Sequence, residues 1–165
     1  MRRFVGSLWP AGPRAADRSW AEGSLLEPEV ELWRRMGGAD RRHAVGVARR
    51  VERALVGDAT RPVLAAALCH DVGKIESRLG TYGRVVATLS GRIAGHGQVL
   101  RWTEQRGFVR RVGLYLRHDE LGGDLLALAG SDPLTITWAR EHHRPEAEWT
   151  LPPPIAGALK AADDD

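Results

Sequence analysis

Seven consecutive apolar residues, Val63 to Cys69, run directly into His70-Asp71 and then Val72-Gly73-Lys74. The run reads as a helix with apolar residues that belong in the core. On such a helix Asp71 stands above Leu64, Ala67 and Leu68, the residues that should face the core. A carboxylate placed there is costly unless something positive meets it. A metal ion is the least costly partner for a histidine and an aspartate side by side in that position.

The rest of the chain also reads as helical. Leu26 to Met36 reads as a first helix, stopped by Gly37-Gly38. Asp40 has the character of an N-cap for an amphipathic helix through Val56, with Ala44, Val47, Ala48, Val51, Ala54 and Leu55 at helical spacing. Thr60 and Pro62 open the central helix, and Gly73 suits the turn that ends it. Further helices are expected over 82–93, 98–105, 108–116 and 120–129. Asp132-Pro133 is a cap-plus-first-turn signature for a helix reaching Glu141 or His142, and three prolines precede a last helix, 155–163. No segment alternates like a strand. The fold class predicted is all-α, with one helical domain over 27–165. Residues 1–26, rich in Gly, Pro and Arg, are expected to form an extended or partly ordered arm, with Trp9 and Trp20 packing back onto the body.

Composition narrows the function. One cysteine among 165 residues rules out an internal disulfide framework, and Cys69 within the apolar run reads as a small core residue. No apolar stretch approaches the ~20 residues that span a bilayer, and no signal-like segment follows Met1. A cytoplasmic protein without a membrane partner is the expectation. Basic charge comes from 22 arginines and two lysines, many in pairs (34-35, 41-42, 49-50, 110-111) among acidic residues. Solvated helix faces account for such pairs better than a nucleic-acid surface does, so no nucleic-acid polymer is expected as a partner.

Five of the six histidines fall in positions that make sense together. His43 points to the buried side of its helix, one turn before Val47. His70 and Asp71 end the central helix, His118 starts another, and His142-His143 close the helix begun at Asp132. Asp163 lies near the chain end. Each alone has a plain reading: a hydrogen-bonded core histidine, a cationic helix C-terminus, a solvated acidic tail. Three aspartates at a helix C-terminus oppose the helix dipole, however, and a nearby cation would account for them.

In order, the motifs are Arg42-His43-Ala44, His70-Asp71-Val72-Gly73-Lys74, His118-Asp119-Glu120-Leu121-Gly122, His142-His143-Arg144-Pro145 and Lys160-Ala161-Ala162-Asp163. On these residues the chain, from about residue 40 onward, resembles the HD-domain superfamily of metal-dependent phosphohydrolases. The resemblance implies a helical bundle with a dinuclear site. It implies that His43, His70, Asp71 and Asp163 hold one metal. His118 and one or both of His142 and His143 would add a second, with Asp71 bridging. The cofactors implied are two divalent transition-metal ions, manganese or iron before others. A metal-activated water would attack the phosphorus of a small phosphorylated substrate, a nucleotide or other metabolite. Lys74, joined by Arg144, would neutralise the substrate phosphate, which makes Asp71 and Lys74 the catalytic pair.

Two departures bound the resemblance. The HD-GYP cyclic-dinucleotide phosphodiesterases have the closest histidine spacing, but they continue into Glu and a Gly-Tyr-Pro segment, where this chain has Arg144-Pro145 and no such segment. Members with a third metal carry a Glu one turn before the first histidine, and Ala39 stands there here. The same ligands also suit a di-iron oxygenase of the superfamily, or a non-catalytic module stabilised by metal. Substrate choice is expected to rest on residues between Gly80 and Gly107, with Tyr82, Arg84, Trp102 and Arg106 as candidates.

Overall fold

The computed structural model describes residues 11–165, and all regular structure among them is helical. In chain order the helices are α1 (Ala15–Gly23), α2 (Glu27–Arg35), α3 (Gly38–Leu55), α4 (Arg61–Cys69), α5 (Lys74–Ser77) and α6 (Thr81–Gly91). They continue with α7 (His96–Thr103), α8 (Gly107–Leu116), α9 (His118–Leu128), α10 (Pro133–Glu141) and α11 (Pro153–Asp164). None of them is long and apolar enough to cross a membrane.

Helix α4 is central. Every residue from Val63 to Cys69 is buried, and α2, α3 and α10 pack around it, with α11 on α3 and α9 on α10. Trp33, Leu68, Leu126, Trp138 and Leu159 fill the space between these helices. Interlocked side chains of this size contribute about 2–3 kcal/mol each by leaving water. Burial pushes the Cys69 thiol pKa upward, in keeping with a core residue. Glu141, buried under the site, accepts hydrogen bonds from the Thr150 backbone N–H and hydroxyl, both at 2.8 Å, and so ties down the loop after α10.

The described part of the expected arm is not extended: residues 15–23 form α1, while Trp9 lies outside the described residues. This element is short and lies behind Gly12-Pro13, so no long periodicity announces it. What fixes it is tertiary. The Arg49 guanidinium lies 3.6 Å from the centre of the Trp20 ring, and Arg34 grips Glu22 through two hydrogen bonds of 2.9 and 2.8 Å.

Asp40 is likewise not a cap. The helix begins two residues earlier, at Gly38, and both Asp40 oxygens are taken by Arg84, at 2.6 and 2.7 Å. A bidentate guanidinium outcompetes a single backbone N–H for the same carboxylate. Asp132, in contrast, does cap α10, accepting from the Leu134 N–H at 2.9 Å.

Gly73 has a different role from the one its position after a helix suggests. Its φ is −61°, open to any residue, but a Cβ there would lie 1.9 Å from the His118 carbonyl oxygen. Only glycine lets the start of α9 come this close to the turn that carries Asp71.

Helices α6, α7 and α8 form a lobe with a small core of its own: Leu79, Ala87 and Val112, backed by Trp102, Tyr115 and Leu116. The lobe joins the body through α5 and α9, which pack on α8. Residues 77–117 contain eight arginines and one glutamate, whereas the rest of the chain contains 16 basic and 20 acidic residues.

Candidate metal centre

Helix ends bring the site together. His70 and Asp71 leave the C-terminus of α4, His118 opens α9, His142 and His143 follow α10, Asp163 sits in the last turn of α11, and His43 projects from α3. His70, Asp71, His118, His142 and Asp163 are buried. All seven residues expected as ligands therefore converge on one place, from five helices.

Three of the imidazoles are oriented in the same way. The Nδ1 atoms of His70, His118 and His142 lie 3.0, 2.7 and 2.9 Å from the carbonyl oxygens of Ala67, Tyr115 and Ala139, three residues earlier in each case. A carbonyl only accepts, so Nδ1 carries a proton, and in its neutral form each ring turns the Nε2 lone pair inward. Those three Nε2 atoms lie 3.4, 3.3 and 3.7 Å from Asp71 oxygens. A nitrogen lone pair facing a carboxylate oxygen repels it. The His142 Nε2 is buried with no hydrogen-bond partner, and the Nε2 atoms of His118 and His143 face each other at 3.1 Å. A cation among these atoms satisfies them together, whereas relief by protons would charge several adjacent rings at once. The donor set fits a transition metal, with each locked Nδ1 as the outer hydrogen bond such ligands use.

The donors fall into two groups that share Asp71. One contains Asp71, His118, His142 and His143, the other His43, His70 and Asp71, and within each group the atoms lie within 4.8 Å of one another. Asp163 adjoins the second group, with Oδ1 at 2.9 Å from His43 Nε2 and 3.6 Å from His70 Nε2.

Electrostatics keep both carboxylates ionised. Burial pushes the Asp71 carboxyl upward, but Lys74 and His70 outweigh it, and it lies well below the ordinary carboxylate range. Burial acts the same way on Asp163, and the His43 bond and the His70 ring likewise bring it below its usual value. Desolvation, with His142 and His118 nearby, lowers the His143 pKa, and burial lowers that of His142, so both favour the neutral, metal-binding form. His70 goes the other way: its burial is outweighed by Asp71 and Asp163.

An open cleft of about 940 Å³ leads to the cluster. Lys74 lines it, with Nζ 2.5 Å from Asp71 Oδ2, and its pKa is raised because Asp71, Tyr115 and Asp40 outweigh its burial. Arg144, expected beside the phosphate, is exposed and does not line the cleft. It follows His143 in a turn that leads away from the site, anchored by its N–H to the Glu141 carbonyl at 2.8 Å. Of the four candidates for substrate choice, Arg84 lines the cleft; Tyr82 is exposed outside it, Trp102 packs into the lobe core and Arg106 is exposed. Arg42 and Arg50, not singled out in the sequence, line the wall formed by α3. A signal for Arg50 was present: it stands two turns after His43, on the same helix face.

Comparison of the chain with protein-family models, with curated proteins and with solved structures gives no match.

Proposed function

We propose that this chain is a metal-dependent phosphohydrolase of the HD type, acting on a small phosphate ester. One observation carries the reading: Asp71 belongs to two groups of inward-facing donors at the foot of an open cleft, beside a lysine. His43, His70, Asp71 and Asp163 would hold one ion, and Asp71, His118, His142 and His143 a second. Divalent manganese or iron there would supply Lewis acidity and a nucleophile drawn from water at neutral pH.

The protein's own groups do the rest. The backbone carbonyls of Ala67, Tyr115 and Ala139 fix the histidine tautomers before any ligand arrives. Lys74, kept charged by Asp71, would hold a phosphoryl oxygen against the cluster by charge-assisted hydrogen bonding. Arg84 is already committed, through Asp40 and through its Nε to the Leu79 carbonyl at 3.1 Å, and so serves to position the cleft wall.

The test is hydrolysis of a phosphomonoester and a phosphodiester by manganese-loaded and iron-loaded protein, beside Asp71→Ala. Turnover that falls at least about a hundredfold in the variant supports the reading. Oxygen consumption under iron with no hydrolysis under either metal would replace it with the oxygenase reading. Metal binding without either activity would replace it with the non-catalytic module.

A further inference from the structure

Helix α6 and the turn that follows it carry a stripe of large apolar residues that no other described residue covers. Tyr82, Val86, Leu89 and Ile93 recur at helical spacing, and they are 85, 46, 55 and 90% exposed. Helix α6 packs on α8 through its opposite side, where Ala87 is buried, so the stripe is left facing outward. Aligned apolar surface of this kind marks a binding surface.

This stripe is continuous with the site. Val85 and Leu89 line the same cleft as Asp71 and Lys74, and Leu79 adds to that wall. A substrate phosphate seated at the cluster would thus have apolar wall on its α6 side, leading outward to Val86 and Ile93. Thr81 and Thr88 stand beside the apolar residues of this wall, no Asn or Gln is among the described lining residues, and Tyr115 is already stacked on His118 at 5.6 Å. On the facing wall, Arg42 and Arg50 of α3 line the cleft and suit an anionic ligand.

Resting on the phosphohydrolase reading, we infer that the organic group esterified to the substrate phosphate is an extended apolar chain that lies along α6. The substrate class is a phosphorylated amphiphile. Val85 and Leu89 are its specificity-determining contacts, while Lys74 and the histidine cluster receive the headgroup.

The experiment is calorimetric titration of the full chain, manganese-loaded and metal-free, with methyl-, butyl- and octylphosphonate. A fully buried methylene is worth about fourfold in affinity, so roughly twofold each is expected on an open wall and about a hundredfold from methyl to octyl. In Val85→Ser/Leu89→Ser the octyl-to-methyl ratio should fall to within about threefold; circular dichroism checks the fold of this surface variant. Equal affinity across the series overturns the inference, as does tighter binding of adenosine 5′-monophosphate than of octylphosphonate. A chain dimer that Leu89→Ser dissociates overturns it too, by showing that a second copy covers the stripe. Hydrolysis of methyl and octyl phosphates with equal kcat/KM would sink the inference and leave the phosphohydrolase reading intact. Chain-length-dependent binding with no hydrolysis of any ester would do the reverse.

Discussion

The body around α4 and the lobe of α6 to α8 are both helical, yet they treat the same residue types in opposite ways. In the body, most large apolar side chains are inside, Val56 and Leu128 excepted, and His70, Asp71, His118, His142 and Asp163 are buried together in the donor cluster. In the lobe, three buried residues make the core, while Tyr82, Val86, Leu89, Ile93 and Phe108 face outward. Precise chemistry needs donors fixed to fractions of an ångström, which only a well-packed frame supplies. Recognition of a variable organic group can rest on a thinly packed element, and the less stable parts of a protein are where such surfaces usually occur.

Six changes would break or sharpen this contrast. The largest effect is expected from Gly73→Ala, where the new Cβ meets backbone on α9: a loss above about 3 kcal/mol in chemical denaturation, with reduced metal uptake. In the lobe, Gly97→Ala has only the end of the Arg101 side chain within reach, at 3.8 Å, and should be neutral or stabilising by up to about 1 kcal/mol. Leu68→Ala in the fully buried centre should cost about 2–5 kcal/mol, and Val112→Ala in the small lobe core clearly less. Equal losses would mean that the two cores are not different in kind. Removal of residues 163–165 should weaken metal binding about 10- to 100-fold, read by competition with a chelating dye, because Asp163 leaves the His43 side of the cluster. Unchanged affinity would exclude Asp163. The smallest loss of stability is expected from Arg84→Ala, which removes the ion pair between α6 and α3. A loss of about 1 kcal/mol should come with faster amide exchange in α6 and none in α4.

The same contrast explains what was legible in the sequence. Where local chemistry settles the structure, the pattern could be read directly: the apolar run of α4 and the Asp132-Pro133 start of α10; the seven candidate donors came from the family resemblance, and the fold gathers them. Where a tertiary partner overrides local chemistry, it could not. Asp40 has the look of a cap until Arg84, 44 residues away, claims both of its oxygens. Residues 15–23 lack a long periodicity, and their helix is held by Arg49 and Arg34 from other elements. Gly73 stands where a helix-ending glycine belongs, although its reason is the His118 carbonyl. Arg144 follows two site histidines in sequence, but the turn after α10 carries it outward. Neighbours along the chain share a site only where the backbone keeps pointing at it.

The central claim is that Asp71 joins two groups of donors into one metal centre. Elemental analysis of the purified chain, loaded with manganese or iron and dialysed, tests it most directly beside Asp71→Ala. Two ions per wild-type chain, with both lost or greatly weakened in the variant, is the result this account expects. Full occupancy in Asp71→Ala, or a wild-type chain that retains no transition metal, would contradict it.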